Sequence, residues 1–449
     1  MTDTLHLLKK YNVAAPRYTS YPTVPFWDVD NFDLNQWLFS VKHNFDNNKE
    51  EGISLYIHLP FCESLCTYCG CNTRITKNHK VEMPYIDALI KEWQLYLNIL
   101  GTKPKIKEIH LGGGTPTFFS AENLTRLIES ILQNGEATAD AEFSFEAHPD
   151  NTSEAHLQAL YNLGFRRLSL GIQDFDEQVQ LMINRYQTPL QVEHITNLAR
   201  KIGYQSVNFD LIYGLPFQTL AGLENTLNQV MKINPDRIAF YSYAHVPWLK
   251  PGQRHYTEQD LPNSEMKFEL YNLGKSMLLQ TGFREIGMDH FAKESDNLFI
   301  AQQQNRLHRN FMGYTHQHTS LLIGLGVSSI SDSLNAFAQN AKTVESYLQS
   351  INNGHFAIEK GHILTPRDSK IREQITEIMC SGKSDFTSGI PKSAHHKLVP
   401  LIDDGLIDLN ENKLVVKNIG KPFLRNICMA FDERLWEKKP SFQMFSYSI

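Results

Sequence analysis

Short runs of apolar and β-branched residues recur along the chain, and each is followed by a stretch in which apolar residues return every three or four positions. The runs occupy residues 54–59, 106–111, 142–146, 167–172, 206–213 and 237–245, and near-continuous apolar character over this length is what strands buried on both faces require. Between them, Ile86, Ile90, Trp93 and Leu97 make one helical stripe behind Pro84. Leu124, Leu127, Ile128 and Ile131 make another behind Ser120, which is placed to cap it, and Leu220, Leu223, Leu227 and Val230 repeat the arrangement after Thr219. Six strand-then-helix units in a row predict right-handed crossovers and a parallel sheet, either closed wholly or partly into a barrel or left open and doubly wound. In both architectures function collects at the carboxyl ends of the strands.

From about Thr365 the pattern changes. A helix over 366–380, a second helical stretch over 393–401 and two short strands over 406–409 and 413–416, joined through Asn410 and Asn412, resemble a winged helix. Without a strongly basic recognition helix, that order predicts a lid or packing module in place of a DNA reader. The chain therefore divides into an N-terminal arm and helix (1–50), a β/α unit with an extension (51–364) and a mainly helical, winged-helix-like C-terminal domain (365–449).

Composition changes this picture little, since 41% hydrophobic and 20% charged residues over 449 positions are ordinary for a globular protein. Lys and Arg number 43 against 49 Asp and Glu, a net charge of −6, which leaves no global field to gather nucleic acid. There is no uninterrupted apolar segment of 18 residues and no signal-peptide core at the start, so a cytoplasmic protein without membrane insertion is expected.

The cysteines are more informative. Four of the six, Cys62, Cys66, Cys69 and Cys71, fall in one ten-residue window after the first strand, whereas Cys380 and Cys428 sit alone in apolar helical patterns as small buried hydrophobes. In a reducing compartment such clustering points to metal. Structural zinc sites use paired knuckles and four ligands, whereas a C-x3-C-x2-C loop suits a [4Fe-4S] cluster with three protein thiolates and one open iron. Other marked residues share the same rim: Gly112 to Pro116 follow the second strand, Glu146 ends the third, Gln173 ends the fourth, Asp210 lies in the fifth and Ala244 near the end of the sixth. Carboxylates in largely apolar strands are costly to bury without a partner, which marks Glu146 and Asp210 as site residues. His58 and His308 are candidate proton donors.

With that loop in that position the sequence resembles the radical S-adenosylmethionine (SAM) superfamily, and the resemblance narrows to its oxygen-independent coproporphyrinogen III oxidase family. The segments that carry it are Pro16-Arg17-Tyr18-Thr19-Ser20-Tyr21-Pro22-Thr23, the cysteine loop, Gly112-Gly113-Gly114-Thr115-Pro116-Thr117, Leu307-His308-Arg309-Asn310-Phe311 and Arg425-Asn426-Ile427-Cys428-Met429. The resemblance implies a partial (β/α)6 TIM-type barrel and an oxidoreductase of haem biosynthesis. Its reaction is the oxidative decarboxylation of two propionates of coproporphyrinogen III to vinyls, driven by a SAM-derived 5′-deoxyadenosyl radical and giving protoporphyrinogen IX. It also implies a [4Fe-4S] cluster, two SAM molecules, an electron donor such as flavodoxin or ferredoxin, and a monomer.

Carried over by position, Cys62, Cys66 and Cys69 are the cluster ligands, and Tyr56, Gly113, Glu146 and Ile330 contact the cluster-bound SAM. Tyr68, Gly114, Thr115, Gln173, Arg185, Asp210 and Ala244 contact the second SAM, and Tyr56, Glu146, Phe311 and Ile330 are the catalytic set. Cys71 is expected not to ligate the cluster, because the open iron is left for SAM. Family members often have Gln after the Phe of the His-Arg-Asn-Phe segment; Met312 stands there in this chain, so a side-chain hydrogen bond to substrate or SAM is not carried over to this position. Arg17 and Arg309 are candidates for pairing with propionates. The alternatives are a haem-binding carrier and another radical SAM enzyme acting on a porphyrin.

Overall fold

The structure is a computed structural model that describes residues 2–386, 389–438 and 443–448. β1 (Ile53–Leu59), β2 (Lys105–Gly113), β3 (Glu136–Ala147), β4 (Phe165–Gln173), β5 (Ser206–Tyr213) and β6 (Arg237–Ser242) lie side by side in chain order, every neighbouring pair parallel. All seven residues of β1 are buried, as a central parallel strand covered on both faces must be. The covering helices begin as their caps dictate: Ser120 Oγ accepts from Asn123 N at 3.2 Å at the head of Ala121–Gln133, and Thr219 Oγ1 accepts from Gly222 N at 3.0 Å at the head of Leu220–Ile233.

Three boundaries differ from expectation. The helix expected at Pro84 starts at Glu82, because proline is tolerated in a first turn whose N–H groups need no intrahelical partner. β3 begins six residues early, over a largely exposed stretch in which only small alanines alternate with polar residues. β6 stops at Ser242, where the chain turns outward after Tyr243 N makes a last bond to Tyr213 O at 2.8 Å.

The sheet also extends beyond the six strands. β7 (Phe283–Gly287) and β8 (His290–Lys293) add antiparallel strands, β8 against β6. On the other edge β9 (Leu322–Leu325) runs parallel to β1 and leads to antiparallel β10 (Ile330–Asp332), β11 (Ala336–Asn340) and β12 (Ile358–Ile363). The result is one twelve-stranded sheet in the order β12-β11-β10-β9-β1-β2-β3-β4-β5-β6-β8-β7, whose ends do not pair among the described residues. The barrel is therefore partial.

Glu92 ties the extension to the barrel. It is fully buried and accepts from Gly326 N (2.7 Å), Asn340 Nδ2 (2.6 Å) and Tyr347 Oη (2.8 Å). Burial pushes its carboxyl up to about 7 against the opposing pull of those donors. An acid whose folded pKa exceeds its unfolded value supports the fold at low pH and loses that support as pH rises through the interval. Between pH 4.5 and 8 the stability of Glu92→Gln relative to the natural chain should therefore improve by roughly 3 kcal/mol. Denaturant titrations of both proteins across that range test it, and a constant difference refutes it.

The C-terminal segment has the expected order, with helices Pro366–Ser381 and Lys392–Asp403 and a three-stranded antiparallel sheet in which Lys413–Val416 lies between Lys383–Asp385 and Ile407–Asn410. Lys383–Asp385 is too short and polar to read in the sequence. This segment has its own core, and Leu7, Leu8, Tyr11, Tyr18 and Tyr21 of the N-terminal arm pack into it, whereas Trp37, Val41 and Phe45 of the next helix pack into the barrel core. Cys428 is fully buried there and Cys380 partly so. No helix among the described residues is long and apolar enough to cross a membrane.

Candidate active site

Parallel register sets the floor of the site. It places Tyr56 beside His110, His110 beside Ser144, Glu146 beside Ser169, and Gly171 beside Asp210 on successive strands. Side chains alternate across a strand, so polar groups from five strands line one lumen while the apolar residues between them face the helices.

The cysteine loop leaves β1 at Pro60 and is closed at its base by Arg74 N to Pro60 O (2.8 Å) and Thr76 N to Cys62 O (2.9 Å). The segment after residue 181 clamps its tip: Thr67 N donates to Ile183 O (3.0 Å), Thr67 Oγ1 to Met182 O (3.0 Å) and Asn184 Nδ2 to Leu65 O (2.8 Å). Gln253 holds the other side through Nε2 to Tyr68 O and Ala244 O, both at 3.1 Å. Thr67, Asn184 and Gln253 were not singled out from the sequence, where nothing local distinguishes them.

Each ligand-candidate thiol has its own neighbour. Cys62 Sγ lies 3.3 Å from Thr115 Oγ1, Arg185 Nη1 lies 3.7 Å from Cys66 Sγ, and Cys71 N donates to Cys69 Sγ at 3.4 Å. Burial pushes the Cys62 thiol up to about 11 and raises that of Cys66, where the Arg185 charge opposes it. The hydrogen bonds from Cys71 hold Cys69 down to about 6. Among the described residues no three His, Cys, Asp or Glu side chains converge on a single metal ion. A cubane binds its thiolates at separate iron corners, so three thiols spaced around one loop, with a cation and hydrogen-bond donors beside them, fit an iron–sulfur cluster in a way they would not fit a lone ion.

Beside the loop opens a cavity of about 960 Å³ lined by Tyr56, Cys66, Cys69, Gly113, Glu146, Phe311 and Ile330 among others. Phe311 packs edge-on against Tyr56 at 4.8 Å, and Tyr56 Oη lies 3.0 Å from His58 Nδ1. Glu146 accepts from Gly113 N (3.2 Å) and faces His110 Nε2 (3.4 Å). Burial works to raise its carboxyl, but His110 and the Gly113 N–H outweigh it and hold the group below the ordinary carboxylate range.

The remaining expected residues stand behind that wall. Arg185 is anchored to Gly171 O by Nε (3.1 Å) and Nη2 (2.5 Å), and Gln173 adopts φ 64° at the end of β4. Asp210 accepts from Asn208 Nδ2 (2.8 Å) and Ser169 Oγ (3.1 Å), and burial together with the Glu146 charge pushes it up to about 6. Asp210 and Glu146 share a smaller lumen cavity of about 130 Å³. Met312 borders both this cavity and the larger one.

Two glycines are required by close approach. Gly113 has φ 114°, and a Cβ there would lie 2.6 Å from the His58 ring; a Cβ on Gly114 would lie 2.6 Å from the Pro60 carbonyl, to whose strand it is bonded through Gly114 N to Leu59 O at 2.8 Å.

Some expectations do not meet at this site. His308 lines a different cavity at the amino-terminal ends of the strands, on a short strand, His308–Asn310, that pairs only with Gly313–Thr315 among the described residues. Arg17 pairs with Asp289 at 3.3 Å and donates to Ser242 O, and Arg309 is buried over the Tyr314 ring with Nη2 donating to Arg17 O at 3.4 Å. Neither arginine lines the large cavity.

A parallel β/α sheet with a three-thiol loop on the carboxyl rim defines a class, and residues 56–230 match the model of the Radical SAM superfamily. The chain is 38% identical over 455 positions to the oxygen-independent coproporphyrinogen III oxidase of Escherichia coli, covering 99% of this chain and 98% of that protein. It is 39% identical over 440 positions to the enzyme of the same name from Helicobacter pylori, with 95% of each chain covered. The solved structure of the coproporphyrinogen III oxidase of Escherichia coli, described as a radical SAM enzyme, superposes with a TM-score of 0.88 at 36% identity, over 96% of this chain and 99% of that one. The chain belongs to the oxygen-independent coproporphyrinogen III oxidase family of radical SAM enzymes.

Proposed function

We propose that this chain decarboxylates two propionate side chains of coproporphyrinogen III to vinyl groups without oxygen, giving protoporphyrinogen IX. The observation that carries the reading is the full-length similarity to enzymes of that name together with the cysteine loop opening on a cavity walled by Tyr56, Glu146 and Phe311. When bound, a [4Fe-4S] cluster and SAM supply one-electron reductive cleavage and a 5′-deoxyadenosyl radical able to take a hydrogen atom from a propionate β-carbon.

The chain's own residues do the rest. Cys62, Cys66 and Cys69 hold the cluster, and Arg185 places positive charge beside the Cys66 sulfur. Glu146, kept ionised and aimed by Gly113 N and His110, can accept from amino or hydroxyl groups of SAM. Tyr56, Phe311 and Ile330 form an apolar wall that keeps water away from a reactive carbon centre. Asp210, whose carboxyl is pushed up to about 6, stands with Tyr68, Gly114, Thr115, Gln173, Arg185 and Ala244 as the shell of a second SAM. The reading includes an electron donor of flavodoxin or ferredoxin type, a cytoplasmic location, a monomeric chain and no nucleic-acid partner.

The test is an anaerobic assay of reconstituted protein with reductant, SAM, an electron acceptor and coproporphyrinogen III, with deoxyadenosine and tetrapyrroles quantified by chromatography and mass spectrometry. Vinyl product with deoxyadenosine is expected. Cleavage of SAM with all propionates intact overturns the substrate, and stoichiometric haem binding in that case favours a carrier.

A further inference from the structure

The amino-terminal ends of the barrel strands surround a second cavity of about 880 Å³, which contains none of the cysteine-loop residues. Its walls bear five cationic side chains against three carboxylates. Two of those carboxylates are already neutralised, Glu142 by half-buried Arg167 and Asp296 in a buried pair with Arg237, whose Nε lies 2.6 Å from Asp296 Oδ2. The third, Asp140, lies 3.8 Å from Lys107 Nζ on the rim.

Pairing does not exhaust the donors. Arg237 has a side chain only 4% exposed, yet its Nη1 has no hydrogen-bond partner, and neither does Arg167 Nε. An unpaired guanidinium N–H is expensive to bury, and both arginines line this cavity as well as the small lumen cavity shared by Glu146 and Asp210. Arg167 and Arg237 thus form the partition between the polar lumen and an open, cation-rich chamber. Guanidinium N–H groups left over after one carboxylate is bound suit a second oxyanion, since the planar fork matches phosphate and carboxylate oxygens.

We propose that this chamber binds a phosphate-type oxyanion, with buried Arg237 and half-buried Arg167 as donors and Lys107 as the cation at its mouth. The chamber has room for more than one phosphate group, so the same chemistry serves free phosphate or a phosphate ester.

Isothermal titration of the anaerobic holoenzyme with inorganic phosphate, and separately with pyrophosphate, at constant ionic strength tests the site. Saturation at one anion per chain is expected, weakened about tenfold in Arg237→Lys, which loses one donor of a charge-assisted pair, and weakened also in Lys107→Gln. Arg126→Gln, a surface cation paired with Asp87 on another face, leaves it unchanged. Tighter pyrophosphate than phosphate marks an ester or polyphosphate ligand, and equal affinity marks free phosphate; both fit the proposal. No saturable binding, or binding unaffected by both Arg237→Lys and Lys107→Gln, overturns it. If Arg237→Lys does not fold, Lys107→Gln alone decides.

Discussion

Alanine in place of Cys62, Cys66 or Cys69 should leave a folded chain that holds no iron–sulfur cluster and has no measurable turnover. The fold survives because the loop is held by backbone and amide bonds that do not involve sulfur, namely Thr67 N to Ile183 O, Asn184 Nδ2 to Leu65 O and Arg74 N to Pro60 O. The cluster is lost because a cubane with one iron left open has only three protein thiolates to hold it, and two cannot close the site. Cys71 differs. Its backbone N–H and thiol serve Cys69, so Cys71→Ala should retain iron and sulfide while altering the cluster's absorption. Iron and sulfide per chain, circular dichroism and deoxyadenosine formation read all four variants. Full iron content in any of the first three would remove that residue from the ligand set, and complete iron loss in Cys71→Ala would add Cys71 to it.

Gly114→Ala should cost roughly a hundredfold in turnover, the scale on which displacements of about 1 Å act at a catalytic centre. The added methyl meets the backbone carbonyl of Pro60 at 2.6 Å and Leu59 O at 2.9 Å, and backbone cannot rotate away as a side chain can. The strand end two residues before Cys62 must therefore move, and overpacking of this kind also lowers stability by about 1–3 kcal/mol. Gly70→Ala is the internal control: it lies in the cysteine loop itself, and its added methyl meets nothing within 4 Å. Near-normal activity in Gly114→Ala, or equal losses in both variants, would show that this contact does not set the loop's position.

The six parallel strands, their capped helices and the C-terminal helix and strand order were legible because each is written in consecutive residues. Apolar runs, a 3.6-residue stripe and a Ser or Thr at its head need no knowledge of distant chain. The cysteine loop was legible for a related reason, since three thiols within eight positions are near one another in any fold. Boundaries failed where the local signal is weak: residues 136–141 offer only alanines between polar residues, yet join β3, with Glu136 and Ala137 pairing with β2, and β10 and β11 are too short to announce a sheet edge.

Arg17 and Arg309 show the limit more sharply. The fold pairs Arg17 with Asp289, 272 positions away, and lays Arg309 over the Tyr314 ring, and neither contact is written in the residues around them. His308, a candidate proton donor, lines the cavity at the amino-terminal ends of the strands.

By itself, then, the sequence determined the family, the parallel sheet, the three-thiol loop and the rim on which Glu146, Gln173 and Asp210 stand, because local periodicity and covalent spacing survive whatever the rest of the chain does. Only the tertiary structure decided that Gln253 and Asn184 brace the loop, that the N-terminal arm shares a core with the C-terminal segment, and that Arg167 and Arg237 close the lumen above a cationic chamber. Those are contacts between residues far apart in the chain, and they follow from which surfaces can be buried together and which charges must then be paired.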